Sequence, residues 1–258
     1  MSDMVFRPLI EDMTWSYSRI SCFDDCPYRW YLKYISCCDE EPMFYASYGS
    51  FMHKLIEQYY KGILSKEDML ISFLVNFQTE VKGERPSANI VQKYIEAGIE
   101  YIKGFQPFPY NMVEVEKRVD FELNGNKFVG FIDFIGERNG ELYIVDNKSR
   151  DMKPRSNRKK PTQKDVELDL MLRQLYIYSE GVKQEYGKYP VGLCFNCFKS
   201  GVFIEEPFNE EACRDAVDWA TKSIDYIKNE DWFNPSLDYF GCRYLCGVSH
   251  ECYYLERR

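Results

Sequence analysis

GFIDFIGERNGELYIVDNK, residues 130–148, is the stretch of sequence that decides the fold. Apolar residues fill it on both sides of Asn139-Gly140, a dipeptide typical of the tight turn between two antiparallel strands. The first strand holds Asp133 inside an apolar run, and the second ends on Asp146, Asn147 and Lys148. Because side chains two positions apart project from the same face of a strand, Asp146 and Lys148 are expected to lie side by side.

The segments on either side of this hairpin predict an α/β sandwich around a mixed central sheet flanked by helices. Helical periodicity occupies the first hundred residues, with helices expected from Pro27, after Gly49, and over residues 66–82 and 88–104. A strand from Met112 and a turn at Asn124-Gly125 precede the hairpin. The elements expected after it are a helix at 168–186, strands at 191–198 and 202–204, and a helix at 210–228.

This order of elements predicts one domain over residues 1–258 with three parts. Residues 16–105 form a helical region that carries His53, residues 110–204 form the sheet core, and residues 205–258 form a C-terminal helix and a cysteine-rich tail. No stretch approaches the roughly 20 apolar residues of a membrane helix, and the N-terminus lacks the basic and apolar regions of a signal peptide. We therefore expect a soluble cytoplasmic protein with no membrane partner.

Charge is unevenly distributed along the 258 residues, although the chain as a whole carries a net charge of −8. An acidic total argues against a generic nucleic-acid binder that works by electrostatic attraction alone. Residues 148–164, which we call the basic strip, contain one acid, Asp151, among eight cations: Lys148, Arg150, Lys153, Arg155, Arg158, Lys159, Lys160 and Lys164. The basic strip is either a solvated mobile loop or a surface for a polyanion.

Asp133 and Asp146 stand in strands, where burial of a carboxylate is costly unless a cation compensates for it. A hard divalent ion with oxygen ligands would compensate for both acids. Such an ion polarises a phosphoryl oxygen and lowers the pKa of a bound water, which is the chemistry of phosphodiester hydrolysis. Lys148 would then position the water or offset charge that develops on the phosphate. The alternative is an ordinary salt bridge between Asp146 and Lys148 at a strand end.

His53 is one of only 2 histidines in the chain, and it follows Gly49-Ser50-Phe51-Met52 at the start of a predicted helix. A lone histidine in such a place is commonly a core or surface residue. Imidazole is also a good ligand for Mn²⁺-type ions beside carboxylates, so its participation would favour Mn²⁺ over Mg²⁺.

Taken together, these motifs resemble the RecB-like branch of the PD-(D/E)XK nuclease superfamily over nearly the whole chain. They are, in order, Gly49-Ser50-x-x-His53, Gly130-x-x-Asp133, Asp146-x-Lys148 and Gln174-x-x-x-Tyr178. Residues 18–34, which contain Cys26-Pro27, are similar to the opening helix of the same group. The resemblance implies the PD-(D/E)XK (restriction-endonuclease-like) core and metal-dependent DNA hydrolysis. Asn147-Lys148-Ser149 departs from the usual Tyr-Lys-Thr-Gly of the family, at a position that tolerates variation.

The resemblance also implies a role for each site residue. His53, Asp133 and Asp146, with the backbone carbonyl of Asn147, would hold Mn²⁺ or Mg²⁺. Lys148 would be the catalytic lysine, acting with Asp133 and Asp146. Gln174 and Tyr178, one helical turn apart, would contact DNA near the scissile phosphate. Cations of the basic strip would guide a DNA strand toward the metal: Lys153, Arg155, Arg158, Lys159 and Lys160.

Cys242, Cys246 and Cys252 lie close together in the C-terminal tail, and this pattern suggests a site for a soft metal. The resembled exonucleases, which include CRISPR-associated and AddB-type members, join one early cysteine to three late ones around a 4Fe–4S cluster. Cys26 stands at the matching early position, although the first late spacing is one residue longer than the common one. A zinc site with Cys26 or His250 as fourth ligand is the alternative, and the absence of any metal is a third. Either metal would join the two ends of the chain in a structural role.

These features favour a metal-dependent DNA exonuclease acting in recombination, repair or phage DNA processing. A structure-specific or single-strand DNA endonuclease is the first alternative, because the same core supports it. An inactive nuclease-like scaffold in a recombination or CRISPR-adaptation complex is the second, and the costly acid cluster argues against it. A zinc-binding interaction protein is the third, and it would leave the Asp146-x-Lys148 strand unexplained.

Overall fold

The fold is built on a five-stranded mixed sheet whose strands follow one another in chain order across the sheet. The computed structural model of the protein describes residues 6–255. The strands are β1 (Asn111–Leu123), β2 (Asn126–Arg138), β3 (Glu141–Lys148), β4 (Gly192–Cys197) and β5 (Val202–Pro207). Only β3 and β4 pair in parallel, and the other neighbouring strands pair antiparallel. The prediction of a mixed central sheet is therefore confirmed.

Helices flank the sheet, as the sequence predicted. They are α1 (Arg7–Glu11), α2 (Tyr17–Asp25), α3 (Pro27–Tyr34), α4 (Phe44–Tyr60), α5 (Lys66–Glu80), α6 (Ala88–Gly104), α7 (Gln163–Tyr186), α8 (Glu210–Asn229) and α9 (Tyr239–Tyr244), with a 3-10 turn at Ser249–Glu251. The predicted helix from Pro27 is confirmed, and residues 18–34, which resemble the family's opening helix, form two helices rather than one. Cys26, in an extended conformation, ends α2 and caps α3, where Pro27 takes the first position because its missing N–H costs nothing there.

The helix α7 is the crossover that parallel pairing of β3 and β4 requires. It begins at Gln163, earlier than the predicted residue 168, because a capping box supplies a start signal. Thr162 Oγ1 accepts the Asp165 backbone N–H, and the Asp165 carboxylate accepts the Thr162 backbone N–H. Gly187, with a φ of 77°, ends the helix in the left-handed region that glycine adopts without strain.

The largest core cluster lies between the sheet and the helices α2, α7 and α8, and draws side chains from all three predicted parts of the chain. Its fully buried members include Ile20, Ile144, Leu175 and Ile224. A second cluster packs α4, α5 and α6 around aromatic side chains, and Phe198, just after β4, joins it to the sheet. Burial of one such apolar side chain contributes about 1.5–3 kcal/mol to folding. The second cluster therefore holds α4 against the end of the sheet where the acids lie.

Among residues 6–255, no helix combines the length and hydrophobicity that crossing a membrane requires. The outer limits of the predicted domain, residues 1 and 258, lie outside the described residues, as does the beginning of the N-terminal segment used for the signal-peptide expectation.

Candidate active site

His53 and Asp133 meet at the backbone of Asn147, near the end of β3. His53 Nε2 donates to the Asn147 carbonyl oxygen at 2.9 Å, and the Asn147 backbone N–H donates to Asp133 Oδ2 at 2.6 Å. His53 Nδ1 lies 3.4 Å from the same Asp133 oxygen. One helix and two neighbouring strands thus bring together an imidazole, a carboxylate and a peptide carbonyl from distant parts of the sequence.

Asp146, Lys148 and Gln174 form the other half of the site. Lys148 Nζ lies 2.6 Å from Asp146 Oδ2 and donates to Gln174 Oε1 at 2.9 Å. Gln174 Nε2 in turn donates to Asp146 Oδ1 at 3.2 Å and to the Tyr178 hydroxyl at 3.1 Å. The glutamine from α7 therefore holds both members of the acid–lysine pair, and the tyrosine one turn later restrains the glutamine.

Local packing explains two of the residue types at the site. A Cβ atom on Gly130 would lie 2.8 Å from Tyr178 Cδ1, so a glycine lets the tyrosine ring pass directly over β2. Asn147 stands where the family usually has tyrosine, and its side-chain oxygen accepts from Asn196 Nδ2 at 2.6 Å. Asn196, on β4, also donates to the Tyr101 hydroxyl at 2.7 Å. This buried chain of hydrogen bonds holds the Asn147 side chain, and the sequence reasoning did not identify it.

Glu116 is a second residue that the sequence reasoning missed. Ligand atoms of His53, Glu116 and Asp133 lie within 4.8 Å of one another, and this is the sole such group of three or more among the residues described. Glu116 lies on β1 between the pairs Val115↔Phe134 and Lys117↔Ile132, so it stands opposite Asp133. The sequence did contain a signal for this contact. A two-residue turn at Asn124-Gly125 places Leu123 opposite Asn126, and counting back along both strands from that pair places Glu116 opposite Asp133.

Burial and charge shift the pKa values of Asp146, His53 and Glu116. Burial raises the pKa of Asp146, although the nearby Lys148 ammonium opposes the rise. Burial lowers the pKa of His53, but the Asp133 carboxylate outweighs this effect and leaves it above the ordinary value. Burial and then the charge of Asp133 raise the pKa of Glu116 to about 7. Each shift reflects negative charge concentrated in a partly desolvated place.

The donor set fits a hard divalent cation. Asp146 is 5% exposed, and its Oδ2, although ion-paired with Lys148, makes no hydrogen bond of normal geometry. His53 Nε2 and Asn147 O are 2.9 Å apart, close to the roughly 3 Å that separates adjacent ligands of an octahedral ion with bonds of about 2.1 Å. The Asp146 oxygen without a hydrogen bond, together with His53 Nε2 and the Asn147 carbonyl oxygen, therefore offers ligands that suit a divalent cation.

The basic strip leaves β3 beside this site and returns as an irregular loop to the start of α7. Lys153, Arg158, Lys159 and Lys160 are exposed along it. Arg155 is also exposed but is held by two carboxylates, at 2.6 Å from Asp169 Oδ1 and 2.8 Å from Glu206 Oε2. Its charge is therefore compensated within the protein, and it anchors the loop.

The four predicted cluster ligands lie in one region near the start of α3. The Ser236 backbone N–H donates to Cys26 Sγ at 3.3 Å, and Cys242 Sγ donates to the Ser236 carbonyl at 3.8 Å. Burial raises the pKa of Cys246, and Cys26 and Cys242 are close enough to contribute to the rise. Cys252 packs with Leu32 and Val248 in a small apolar cluster that Cys246 adjoins.

The profile of the PD-(D/E)XK nuclease superfamily matches residues 14–253 of the chain. Among solved structures, a candidate exonuclease from Eubacterium rectale is similar with a TM-score of 0.54 and 16% identity, over 97% of this chain and 92% of that one. The structure of SSO0001 is also 16% identical, with a TM-score of 0.31 over 97% of each chain. No protein with a curated description matches the sequence. With the profile spanning nearly all of it, the chain belongs to the PD-(D/E)XK nuclease superfamily.

Proposed function

We propose that this nuclease is a divalent-metal-dependent DNA exonuclease that uses Mn²⁺ or Mg²⁺. The observation that carries the proposal is that His53 and Asp133 meet at the Asn147 peptide, close enough to the buried pair of Asp146 and Lys148 to influence the Asp146 carboxylate. The choice of an exonuclease rests on the resemblance of the ordered motifs to the RecB-like branch. The description of the Eubacterium rectale protein points the same way.

The proposed mechanism assigns one task to each side chain. A divalent cation held by His53, Asp133, Asp146 and the Asn147 carbonyl would polarise a phosphoryl oxygen and lower the pKa of a water molecule. Lys148 presents a positive charge 2.6 Å from Asp146, where it can offset charge that develops on the phosphate. Asp146 is 5% exposed, so little bulk water surrounds the pair and their charges act in a weakly screened place.

Gln174 and Tyr178 are proposed to position the acid–lysine pair and the DNA near the scissile phosphate. Gln174 contacts both Asp146 and Lys148, and a glutamine that shifted with the DNA would move both groups together. Tyr178 is buried and touches the site through its hydroxyl, which supports a positioning role more than a direct DNA contact. This refines the roles that the resemblance implied.

The exposed cations of the basic strip are proposed to attract the DNA backbone. Among residues 6–255, Lys153, Arg158, Lys159 and Lys160 make no ion pair of the kind that holds Arg155, so they carry most of this proposal. The processes that we propose are recombination, repair or phage DNA processing, with recombination or CRISPR-adaptation proteins as partners. We further propose that residues 1–258 act as one nuclease domain, because one core cluster draws side chains from its three parts.

Cys26, Cys242, Cys246 and Cys252 are the proposed ligands of a structural 4Fe–4S cluster. Cys26 and Cys242 both contact Ser236, both influence Cys246, and Cys252 lies in the apolar cluster that Cys246 adjoins, which supports this set. A tetrahedral zinc ion would hold its thiolates about 3.8 Å apart, given Zn–S bonds of about 2.3 Å. Within residues 6–255, no three of these ligand atoms lie within 4.8 Å of one another. The preference for a 4Fe–4S cluster over zinc rests on the resemblance of the cysteine pattern to that of the RecB-like exonucleases.

DNA hydrolysis tests the proposed activity. The protein is incubated with Mn²⁺ and with end-labelled linear or circular DNA, each single- and double-stranded. Degradation of linear DNA alone is the expected result, whereas cutting of circles would favour the endonuclease. Lys148→Ala should lower the rate by about 100-fold or more, and Lys188→Ala, an exposed lysine beside Glu141 at the other end of β3, should retain it. Full activity of Lys148→Ala would refute the mechanism, and an inactive wild type would favour the scaffold.

Spectroscopy tests the proposed cluster. Protein purified without oxygen should be brown, with absorbance at roughly 400 nm from thiolate-bound iron. Cys246→Ser should lose the colour and the iron, while Cys37→Ser, at an exposed cysteine outside the set, should keep both. Colourless wild-type protein that contains one zinc per chain would establish the alternative instead.

A further inference from the structure

A cavity of about 450 Å³ lies between the C-terminal end of α6, residues 105–109 and the turn that joins β4 to β5. We propose that this cavity binds a free nucleoside monophosphate, with the base among its aromatic rings and the phosphate at Lys199. The volume falls within the range of about 300–1,000 Å³ that is usual for small-molecule sites. The proposal is independent of the nuclease activity, because none of the lining residues takes part in the proposed catalysis.

The walls of the cavity are aromatic and are held in place by their neighbours. The rings of Phe108 and Phe203 lie 5.5 Å apart at an interplanar angle of 35°, and those of Tyr101 and Phe105 lie 5.7 Å apart at 60°. The Phe108 backbone N–H donates to the Tyr60 hydroxyl at 2.8 Å, which fixes the segment that carries the Phe108 ring. Such rings suit a flat nitrogen heterocycle, since stacking of one base on an aromatic side chain contributes about 1–3 kcal/mol.

Two buried polar side chains in the cavity wall have unused hydrogen-bonding capacity. Asn196 is 5% exposed and Tyr101 is 9% exposed, and both line the cavity. The Asn196 amide nitrogen donates to the Tyr101 hydroxyl at 2.7 Å and to Asn147 Oδ1 at 2.6 Å. Among residues 6–255, Asn196 Oδ1 accepts no hydrogen bond and the Tyr101 hydroxyl donates none. An acceptor beside a donor complements the adjacent N–H and acceptor on the edge of a nucleobase, and a ligand that pairs with both removes the cost of leaving them unsatisfied.

The cavity lies across the sheet from the acid–lysine pair. Asn147 and Asn196 are partners in the parallel register of β3 and β4, and their side chains meet on one face. Asp146 and Lys148, the neighbours of Asn147 along β3, project from the opposite face. A DNA strand held at the acid–lysine pair would have to pass around the sheet to place a base in the cavity. The occupant that fits is therefore a free nucleotide and not a base of the bound strand.

The charged residues of the cavity suit the rest of a nucleotide. Among the described residues that line it, Lys199 is the one cation and Glu100 the one acid. Lys199 Nζ lies 3.3 Å from Asp151 Oδ2 and 5.0 Å from the centre of the Tyr94 ring. Asp151 is exposed, so its ion pair with Lys199 is weak and a phosphate can replace it. The Glu100 carboxylate can accept a hydrogen bond from a sugar hydroxyl.

Isothermal titration calorimetry with the four deoxynucleoside 5′-monophosphates tests the proposal. A chelator of divalent ions is present throughout, so that no nucleotide binds through a metal at the catalytic site. The wild-type chain should bind one monophosphate. Gly104→Trp should lose this binding, because Gly104 lines the cavity, has no positive φ, and a Cβ there meets no atom within 4 Å, so the indole can fill the space. Ala88→Trp, at an exposed position at the other end of α6, is the matched control and should bind as wild type does.

Lys199→Ala tests the phosphate contact separately. It should weaken binding of the monophosphates by about 10-fold, the effect of losing one charge-assisted hydrogen bond, and leave binding of the corresponding deoxynucleosides unchanged. Wild-type protein that binds no monophosphate, Gly104→Trp that binds as tightly as wild type, or Lys199→Ala with unchanged affinity would overturn the proposal. All variants must first have the circular dichroism spectrum of wild type, so that a folding defect is not mistaken for a filled cavity.

Discussion

Replacing Gly130 by alanine would test how the site is held together. The added Cβ would lie 2.8 Å from Tyr178 Cδ1, 2.9 Å from Cε1 and 3.2 Å from Val119 Cγ2. Gly130 does not have a positive φ, so its backbone accepts alanine and any cost is steric. Tyr178 is 6% exposed and lies on a long helix, so its ring has little room to move away. The clash should push the ring and, through its hydroxyl, Gln174.

The change in the free energy of unfolding caused by Gly130→Ala is the difference between two opposing effects. Overpacking of this kind costs about 1–3 kcal/mol, and replacing glycine by alanine in an extended segment returns about 0.5–1 kcal/mol through the unfolded chain. We expect a net destabilisation of about 1–2 kcal/mol, or about 2–8 °C in the melting temperature of a chain of this size. Displacement of Gln174 should also lower the rate of DNA hydrolysis by about 10- to 100-fold.

Denaturant unfolding of a double-mutant cycle measures the clash. Tyr178→Leu alone loses buried surface, but in the Gly130→Ala background it also removes the steric conflict. The double variant should therefore be more stable than the sum of the single effects by about 1 kcal/mol, within the range seen for residues in contact. An unchanged or raised stability of Gly130→Ala, or strict additivity in the cycle, would refute the reasoning.

Three further predictions concern the same region. Gln174→Leu keeps the side-chain volume but removes the bridge between the acid and the lysine, so hydrolysis should fall about 10- to 100-fold with the fold intact; an unchanged rate would contradict its positioning role. Hydrogen bonds from Ser156 hold the pKa of Asp165 below its usual range. The ionised Asp165 carboxylate therefore stabilises the loop fully at pH values above about 3.9, the pKa of an aspartate in the unfolded chain. This stabilisation is lost as the pH falls toward the lower pKa of Asp165 in the folded protein. Hydrogen-exchange protection in the basic strip, corrected for the intrinsic pH dependence of amide exchange, should thus match at pH 5 and pH 7, and weaker protection at pH 5 would exclude this contact. Glu116→Gly should stabilise the metal-free protein by about 1 kcal/mol through relief of the left-handed conformation, and a lower melting temperature would count against strain.

Much of the fold was predictable because its signals are local. Asn-Gly pairs at 124–125 and 139–140 mark both hairpin turns of the meander, and the observed turns fall there. Apolar periodicity located α5 and α6 to within two residues of their ends. The details that the periodicity did not give also have local causes. The break at Cys26 and the early start of α7 depend on single caps, which periodicity over a whole helix does not register.

Sequence alone predicted a set of candidate site residues from ordered motifs that resemble those of the family, and the acid and lysine motifs fall in strands that the apolar pattern predicts. It did not reveal that Arg155 is neutralised by Asp169 and Glu206, or that Asn196 holds the Asn147 side chain. These contacts join elements whose spacing along the chain says nothing of their distance in space. The local sequence of a helix or strand decides which face of that element a side chain occupies. The residues that this side chain contacts depend on how separate helices and strands pack around the shared hydrophobic core.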